Sequence, residues 1–288
     1  MTYQELLGWP VAEAIQFEAK KQIEQLQKRG INPTLATIRV GEQKPSIAYE
    51  KSATKQLSKL GIEVENYVYA ENITEDEFLK KLDIIGDQSE IHGILIMQPL
   101  PSQIDLGKVA RQIPPQKDVD GMHPLNLGLL LCDDDHALIP STAKAVMSLI
   151  DFYEIPVAHQ NICVIGKSNA VGKPITNLLL NRHGTVSNCH TRTRDLALYT
   201  KEADIIICAA GSKHLITKDM VKEGVIIIDI GYNVEAGKVY GDADYEGIGD
   251  KASAMTPVPK GVGAVTTTSL AEQVIQATWQ QIDRHNES

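Results

Sequence analysis

The stretch Ile162-Cys163-Val164-Ile165-Gly166-Lys167-Ser168-Asn169-Ala170-Val171-Gly172-Lys173-Pro174 decides the fold. An apolar run ends in a glycine, a polar loop follows, and a second glycine and a proline open an apolar-periodic segment through Leu178-Leu179-Leu180. Strand, Gly-rich turn and helix N-terminus make a phosphate cradle, because the first helical N–H groups are unpaired and glycine lets backbone approach an anion. The spacing G-x-S-x-x-x-G-x-P departs from G-x-G-x-x-G, and a plain turn would account for the motif taken alone. Its surroundings favour the cradle. The next strand-like run ends at Cys189 and leads into His190-Thr191-Arg192-Thr193-Arg194, where an NAD enzyme usually places an acid for the ribose hydroxyls. A basic, hydroxyl-bearing loop suits a 2′-phosphate instead, with Lys167 joining from the first loop, so NADP rather than NAD is expected. The plainer alternative makes Arg192 and Arg194 a solvated face.

Outward from this stretch, strand-like and helical runs alternate over 34–40, 46–60, 64–69, 74–85 and 93–97, and again from 161 onward. Such alternation predicts an α/β fold with parallel sheets covered by helices. Ile139-Pro140-Ser141-Thr142 gives a break and a capped start to a helix over 143–153. Two domains follow: an N-terminal α/β domain over 1–140, completed by the C-terminal helix 269–288, and a Rossmann-type domain over 141–268. A chain of 288 residues exceeds one ordinary core, which agrees with that division.

The formal net charge of −9 argues against a nucleic-acid binder, so any anionic ligand must be met locally. The four cysteines, Cys132, Cys163, Cys189 and Cys208, are widely scattered, and the last three sit in apolar or strand-like runs without metal-ligand spacing, so buried reduced thiols and no metal are expected. No run is long and apolar enough to span a membrane, and residues 1–9 lack a signal-peptide pattern, which makes the cytoplasm the expected compartment.

A second informative run is Lys117-Asp118-Val119-Asp120-Gly121-Met122-His123-Pro124. With Val119 buried, an extended segment sends both carboxylates to one side, and Gly121 lets backbone approach a ligand. A turn with Asp caps is the plainer reading.

The chain resembles the methylenetetrahydrofolate dehydrogenase/cyclohydrolase family nearly end to end. The resemblance is carried by Val40-Gly41 with Ser46 and Tyr49, Gly93-Ile94-Leu95 leading to Pro99-Leu100-Pro101, the run 117–124 with Asn126 and Gly128, the cradle 166–174, and Thr256-Pro257-Val258-Pro259-Lys260-Gly261-Val262-Gly263. It implies an N-terminal catalytic domain joined by two long helices to a Rossmann NADP domain, a folate cleft between them, and a homodimer. It also implies hydride transfer from the methylene bridge of methylenetetrahydrofolate to the nicotinamide, followed in many members by hydrolysis of the methenyl product. Asp120 matches the aspartate that holds the pterin, whose 2-amino group and N3–H form a guanidine-like edge for a carboxylate. Tyr49 matches the tyrosine lining the reacting centre. Val258, Pro259 and Gly261 match the loop edging the folate, Tyr232 falls at a cofactor-contacting position, and Gly166, Lys167, Ser168, Gly172, Thr191 and Arg192 form the expected cofactor set.

Two departures bear on catalysis. The family's catalytic lysine stands four residues after the tyrosine, where this chain has Ala53. Lys51 and Lys55 lie on roughly the opposite face of the helix. The family's glutamine position holds Met97, and Gln98, one residue later, substitutes as a catalytic group only if a bulge re-aims it. Hydride transfer relies mainly on alignment and survives such losses, whereas hydrolysis needs a positioned proton-transfer group. The leading expectation is an NADP-dependent methylenetetrahydrofolate dehydrogenase with weak or absent cyclohydrolase activity. The alternatives are a fully bifunctional enzyme and a non-catalytic nucleotide- or pterin-binding paralogue.

Overall fold

The computed structural model describes residues 3–287. In chain order its first elements are β1 (Gln4–Glu5), α1 (Gly8–Lys28), β2 (Thr34–Val40), α2 (Lys44–Leu60), β3 (Glu63–Tyr69), α3 (Glu75–Gly86), β4 (Gly93–Ile96), α4 (Leu106–Gln112), α5 (Pro124–Leu131) and α6 (Ser141–Phe152). There follow β5 (Asn161–Ile165), α7 (Gly172–Asn181), β6 (Thr185–Cys189), α8 (Ala197–Thr200), β7 (Ile205–Cys208), β8 (Ile226–Asp229), β9 (Asn233–Glu235), β10 (Lys238–Tyr240), α9 (Tyr245–Ile248), β11 (Ala254–Met255) and α10 (Thr266–Glu287). The described residues divide into two compact units, one made of residues 14–141 and 267–287, the other of 3–13 and 142–266.

The first unit is built on a parallel sheet of order β3-β2-β4. Every residue of β2 is buried, as expected of a central strand covered on both faces. One face packs against α1, α2 and α10 through Ile23, Leu57, Leu95, Leu270 and Val274. The other packs Ile38, Val40 and Ile94 against Phe78, Leu82 and Val109 of α3 and α4. In α2 the buried residues Ser46, Glu50, Ala53, Leu57 and Leu60 recur at helical spacing, and Gly61 closes the helix at φ +98°, a conformation that suits glycine. In α3, Thr74 and Glu77 form a reciprocal capping box at the start that the sequence indicates.

The second unit carries six parallel strands in the order β1-β11-β8-β7-β5-β6. From β5 the chain moves outward to β6 and then crosses back to β7 on the other side. This topological switch leaves a crevice at the carboxyl ends of β5 and β7, the usual ligand position in such sheets. Residues 3–13, read from sequence as part of the N-terminal domain, belong by contact to this unit, because β1 pairs with β11 and extends its sheet. A strand of two residues has too short a pattern to be recognised without its partner.

Cys163, Cys189 and Cys208 are buried free thiols, as expected, but Cys132 is exposed. It follows α5 and faces solvent rather than a core. No helix among the described residues is long and apolar enough to cross a membrane.

Candidate active site

The run 117–124 is not extended. A short 3-10 turn over Pro115–Lys117 leads into it and a turn at Gly121 (φ +59°) leaves it. A Cβ at Gly121 would lie 2.7 Å from the Leu138 carbonyl oxygen, so this turn needs glycine. The two carboxylates do different work. Asp118 is buried and accepts from the N–H groups of Met122 (3.0 Å) and His123 (2.7 Å) and from the Asn126 amide (2.9 Å), which makes it the cap of the turn. The plainer reading therefore holds for Asp118. Lys117 is structural too, with its ammonium donating to the carbonyls of Gly86, the last residue of α3, and of Gln88 just beyond it. Asp120 is only half-buried. Burial pushes its carboxyl up to about 7, with the Asp118 charge adding and the Ser141 N–H opposing. Sequence reading took Ser141 as a helix cap and missed its place beside this carboxylate.

Tyr49 lies in the same unit, on α2, and is 40% exposed. Its hydroxyl is pushed up to about 12, first by desolvation and then by the Asp120 charge, so the ring and the carboxylate are neighbours and Tyr49 stays protonated. One turn further along, Ala53 is fully buried, whereas Lys51 and Lys55 are exposed. Met97 continues the ladder of β4 by donating its N–H to the Ile38 carbonyl, and its side chain joins Leu95 in the core. Gln98 lies past the strand end and is exposed; its amide approaches Met122 Sδ at 4.0 Å, and its carbonyl accepts from Ser46 Oγ at 3.1 Å. Positions 53 and 97 are thus apolar and dry, and Gln98 stands apart from Met97, toward the Asp120 turn.

The same face of the sheet holds a buried ion pair that the sequence reading missed. Arg39 Nε meets Glu50 Oε2 at 3.0 Å, and Arg39 also donates to the Gly41 carbonyl. Thr37 Oγ1 approaches Glu50 Oε1 at 3.4 Å. The signal was present: a charged residue at a core position of both the β2 run and the α2 stripe.

In the second unit, Gly166 ends β5 at φ +140°, and a Cβ there would lie 2.5 Å from the Ala209 carbonyl oxygen, across the switch point. Gly172 opens α7, and its Cβ would lie 2.1 Å from the Gly166 carbonyl oxygen. The Asn188 amide donates to that same carbonyl at 2.7 Å, and Ser168 Oγ accepts from the Val171 N–H at 3.2 Å. Lys167 and Ser168 are exposed on the loop. Thr191 and Arg192 are exposed at the end of β6, and neither Arg192 nor Arg194 has an ion-pair partner among the described residues. A pinned loop whose two glycines leave no room for a Cβ, before an uncapped ten-residue helix and arginines without ion-pair partners, fits a dinucleotide carrying a 2′-phosphate. Replacing Gly172 with Ala should displace this loop by about an ångström and weaken cofactor binding about 10²-fold; calorimetric titration with NADP reads the change, and an unaltered affinity would refute the cradle.

Tyr232, Val258, Pro259 and Gly261 also come together, lining a cavity of about 450 Å³ with Asp229, Ile230 and Lys260. Asp229 is buried and accepts from the N–H groups of Gly231, Asp242 and Ala243, which fixes the end of β8.

A switch-point crevice with a phosphate cradle defines a dinucleotide-binding α/β protein, and the other unit places the Asp120 carboxylate near the Tyr49 hydroxyl. Residues 6–120 match the family described as tetrahydrofolate dehydrogenase/cyclohydrolase, catalytic domain, and residues 140–282 match its NAD(P)-binding domain. The chain belongs to the tetrahydrofolate dehydrogenase/cyclohydrolase family. It is 43% identical to the bifunctional protein FolD of Dictyoglomus turgidum over 94% of this chain and 96% of that one. Its fold matches the crystal structure of bifunctional FolD from Campylobacter jejuni with a TM-score of 0.94 at 40% identity, covering 96% of this chain and 99% of that one. The FolD of Trypanosoma brucei, solved with NADP cofactor and inhibitor, matches with a TM-score of 0.92 at 28% identity, covering 98% and 99%.

Proposed function

We propose that this protein oxidises 5,10-methylenetetrahydrofolate to methenyltetrahydrofolate with NADP as hydride acceptor. The observation that carries the reading is the half-buried carboxylate of Asp120 beside the exposed ring of Tyr49. Asp120, when ionised, accepts from the 2-amino group and N3–H of the pterin, and Tyr49 packs on the substrate with a protonated hydroxyl to donate. Val258, Pro259 and Gly261 edge the folate, and Tyr232 contacts the cofactor. Gly166, Lys167, Ser168 and Gly172 cradle the pyrophosphate, and Thr191 and Arg192 meet the 2′-phosphate. The bound nicotinamide supplies the hydride acceptor; the protein's own residues align the one-carbon bridge and exclude water. Purified protein mixed with methylenetetrahydrofolate and NADP should gain absorbance from the methenyl product and NADPH, and no gain with either NADP or NAD would end the reading. The expected assembly is a homodimer, which sedimentation checks.

For the second half-reaction the relatives weigh against the leading sequence expectation. Their names specify bifunctional proteins, which favours an enzyme that also hydrolyses the methenyl product. The specific observation on the other side is apolar burial at Ala53 and Met97, which leaves Gln98 as the candidate polar group near the Asp120 turn. Added methenyltetrahydrofolate should decay well above the buffer rate if both activities are present, and Gln98→Ala should then slow that decay about 10²-fold. Decay at the buffer rate leaves the dehydrogenase alone.

A further inference from the structure

At the carboxyl ends of the strands in the second unit, Asp242 is fully buried and its carboxylate gathers one loop. Oδ2 accepts from the N–H groups of Ala210 (2.7 Å) and Gly211 (2.9 Å), and Oδ1 accepts from the Ser212 N–H (2.8 Å) and the Asn233 amide (2.9 Å). Three consecutive N–H groups converge on one side chain where Gly211 turns the backbone at φ +64°. Asp242 is itself anchored: its N–H donates to Asp229 Oδ1 at 3.1 Å, and the Ala243 N–H donates to Oδ2 at 2.8 Å. The packing leaves no slack, since a Cβ on Gly231 would strike the Asp242 carboxylate and one on Gly241 the Asp229 carboxylate. Asp229 ends β8 and residues 210–212 follow β7, so two strand ends are tied through one pair of acids.

The place of that loop gives the tie a consequence for the cofactor. Strands β6, β5 and β7 are neighbours in that order, roughly 5 Å apart. On the cofactor reading above, the 2′-phosphate end lies at Thr191 and Arg192 after β6, and the pyrophosphate at the glycine cradle after β5. An extended dinucleotide continues over the next strand, β7, whose exit borders the same crevice: a Cβ on Gly166 would strike the Ala209 carbonyl. The loop that Asp242 holds therefore faces the nicotinamide half of the cofactor and not the adenosine half.

We propose that Asp242 is a positioning residue for the nicotinamide half of the dinucleotide, acting through the backbone of Ala210, Gly211 and Ser212 without touching the cofactor; this rests on the cofactor reading above. Asparagine keeps the shape of the side chain but turns an NH2 toward backbone donors, which leaves buried N–H groups unpaired and frees the loop.

The test measures affinity by calorimetry for NADP and for adenosine 2′,5′-bisphosphate, which lacks the nicotinamide half, in the wild type, Asp242→Asn and Asp204→Asn. Asp204 is the control, a carboxylate that accepts from the Asn161 N–H at 2.8 Å at the opposite, amino end of the same sheet. Asp242→Asn should weaken NADP about tenfold and leave the bisphosphate within about twofold, whereas Asp204→Asn should move neither. In turnover, KM for NADP should rise about tenfold in Asp242→Asn while KM for methylenetetrahydrofolate stays within about twofold. An equal loss for both ligands, or no loss for either, would overturn the proposal and leave the cofactor reading standing. A wild type that binds neither ligand would end the cofactor reading and the proposal together. Should Asp242→Asn misfold, Asn233→Ala carries the test: it removes only the side-chain donor to Asp242 and should show the same contrast at about threefold.

Discussion

Asp120→Asn is expected to lower kcat/KM for methylenetetrahydrofolate by about 10²–10³-fold, since two charge-assisted hydrogen bonds are weakened at once. The same change should make the protein more stable at alkaline pH. Burial raises the Asp120 carboxyl from 3.8 to about 7, so between those values the folded state binds more protons than the unfolded one. Stability tied to this group is therefore present in full below about pH 4 and is lost as pH rises through about 7. Asparagine removes that loss, worth on the order of 2 kcal/mol at pH 8 and little at pH 4. Thermal unfolding at the two values checks the sign, and equal melting shifts at both would refute the link. The wild type supplies a companion measurement. If the ionised carboxylate holds the pterin, kcat/KM should rise about tenfold from pH 6 to pH 8 as the group ionises, and Asp120→Asn should flatten that rise.

Glu50→Gln is expected to cost about 3–5 kcal/mol of stability, because it leaves the Arg39 guanidinium buried with its charge uncompensated. Both partner side chains are less than a tenth exposed, so solvent screening offers little relief. Replacing the pair together, with Arg39→Met and Glu50→Leu, should be near neutral, because no lone charge remains and the volume is kept. Urea unfolding of the two variants decides the matter. A loss under about 1 kcal/mol in Glu50→Gln would mean that water reaches the pair, contrary to its burial. The pair lies on the α2 stripe between Ser46 and Ala53 and on the strand row next to Met97, so it clamps the helix that presents Tyr49.

The regular elements were legible in the chain because their signals are local. The run 162–174 announces strand, glycine turn and helix through neighbours alone, and β5 and α7 form where it indicates. Thr74 and Glu77 mark the start of α3 in the same way. The candidate site was legible in part. Asp120 and Tyr49 were singled out through the family resemblance and the cradle glycines through their turn, whereas the residue pattern alone treats Asp118 and Asp120 alike, since which carboxylate meets backbone N–H groups depends on Asn126 and the turn at Gly121. The pairing of β1 with β11 escaped because two residues carry no periodicity and the partner lies about 250 residues away.

By itself the sequence determined the alternation of strands and helices, the glycine positions that leave room for a dinucleotide, the absence of a lysine at position 53, and membership of a folate-enzyme family. Those follow from residue type and spacing, which act over a few residues. Only the tertiary structure decided that Asp118 caps a turn while Asp120 stays open, that positions 53 and 97 are dry, that Arg39 and Glu50 share a buried bond, and that Asp242 gathers three backbone N–H groups after β7. The physical reason is common to all four. Burial, hydrogen-bond partners and enforced backbone angles are set by segments distant in the chain, and they alone decide what a charged side chain is free to do.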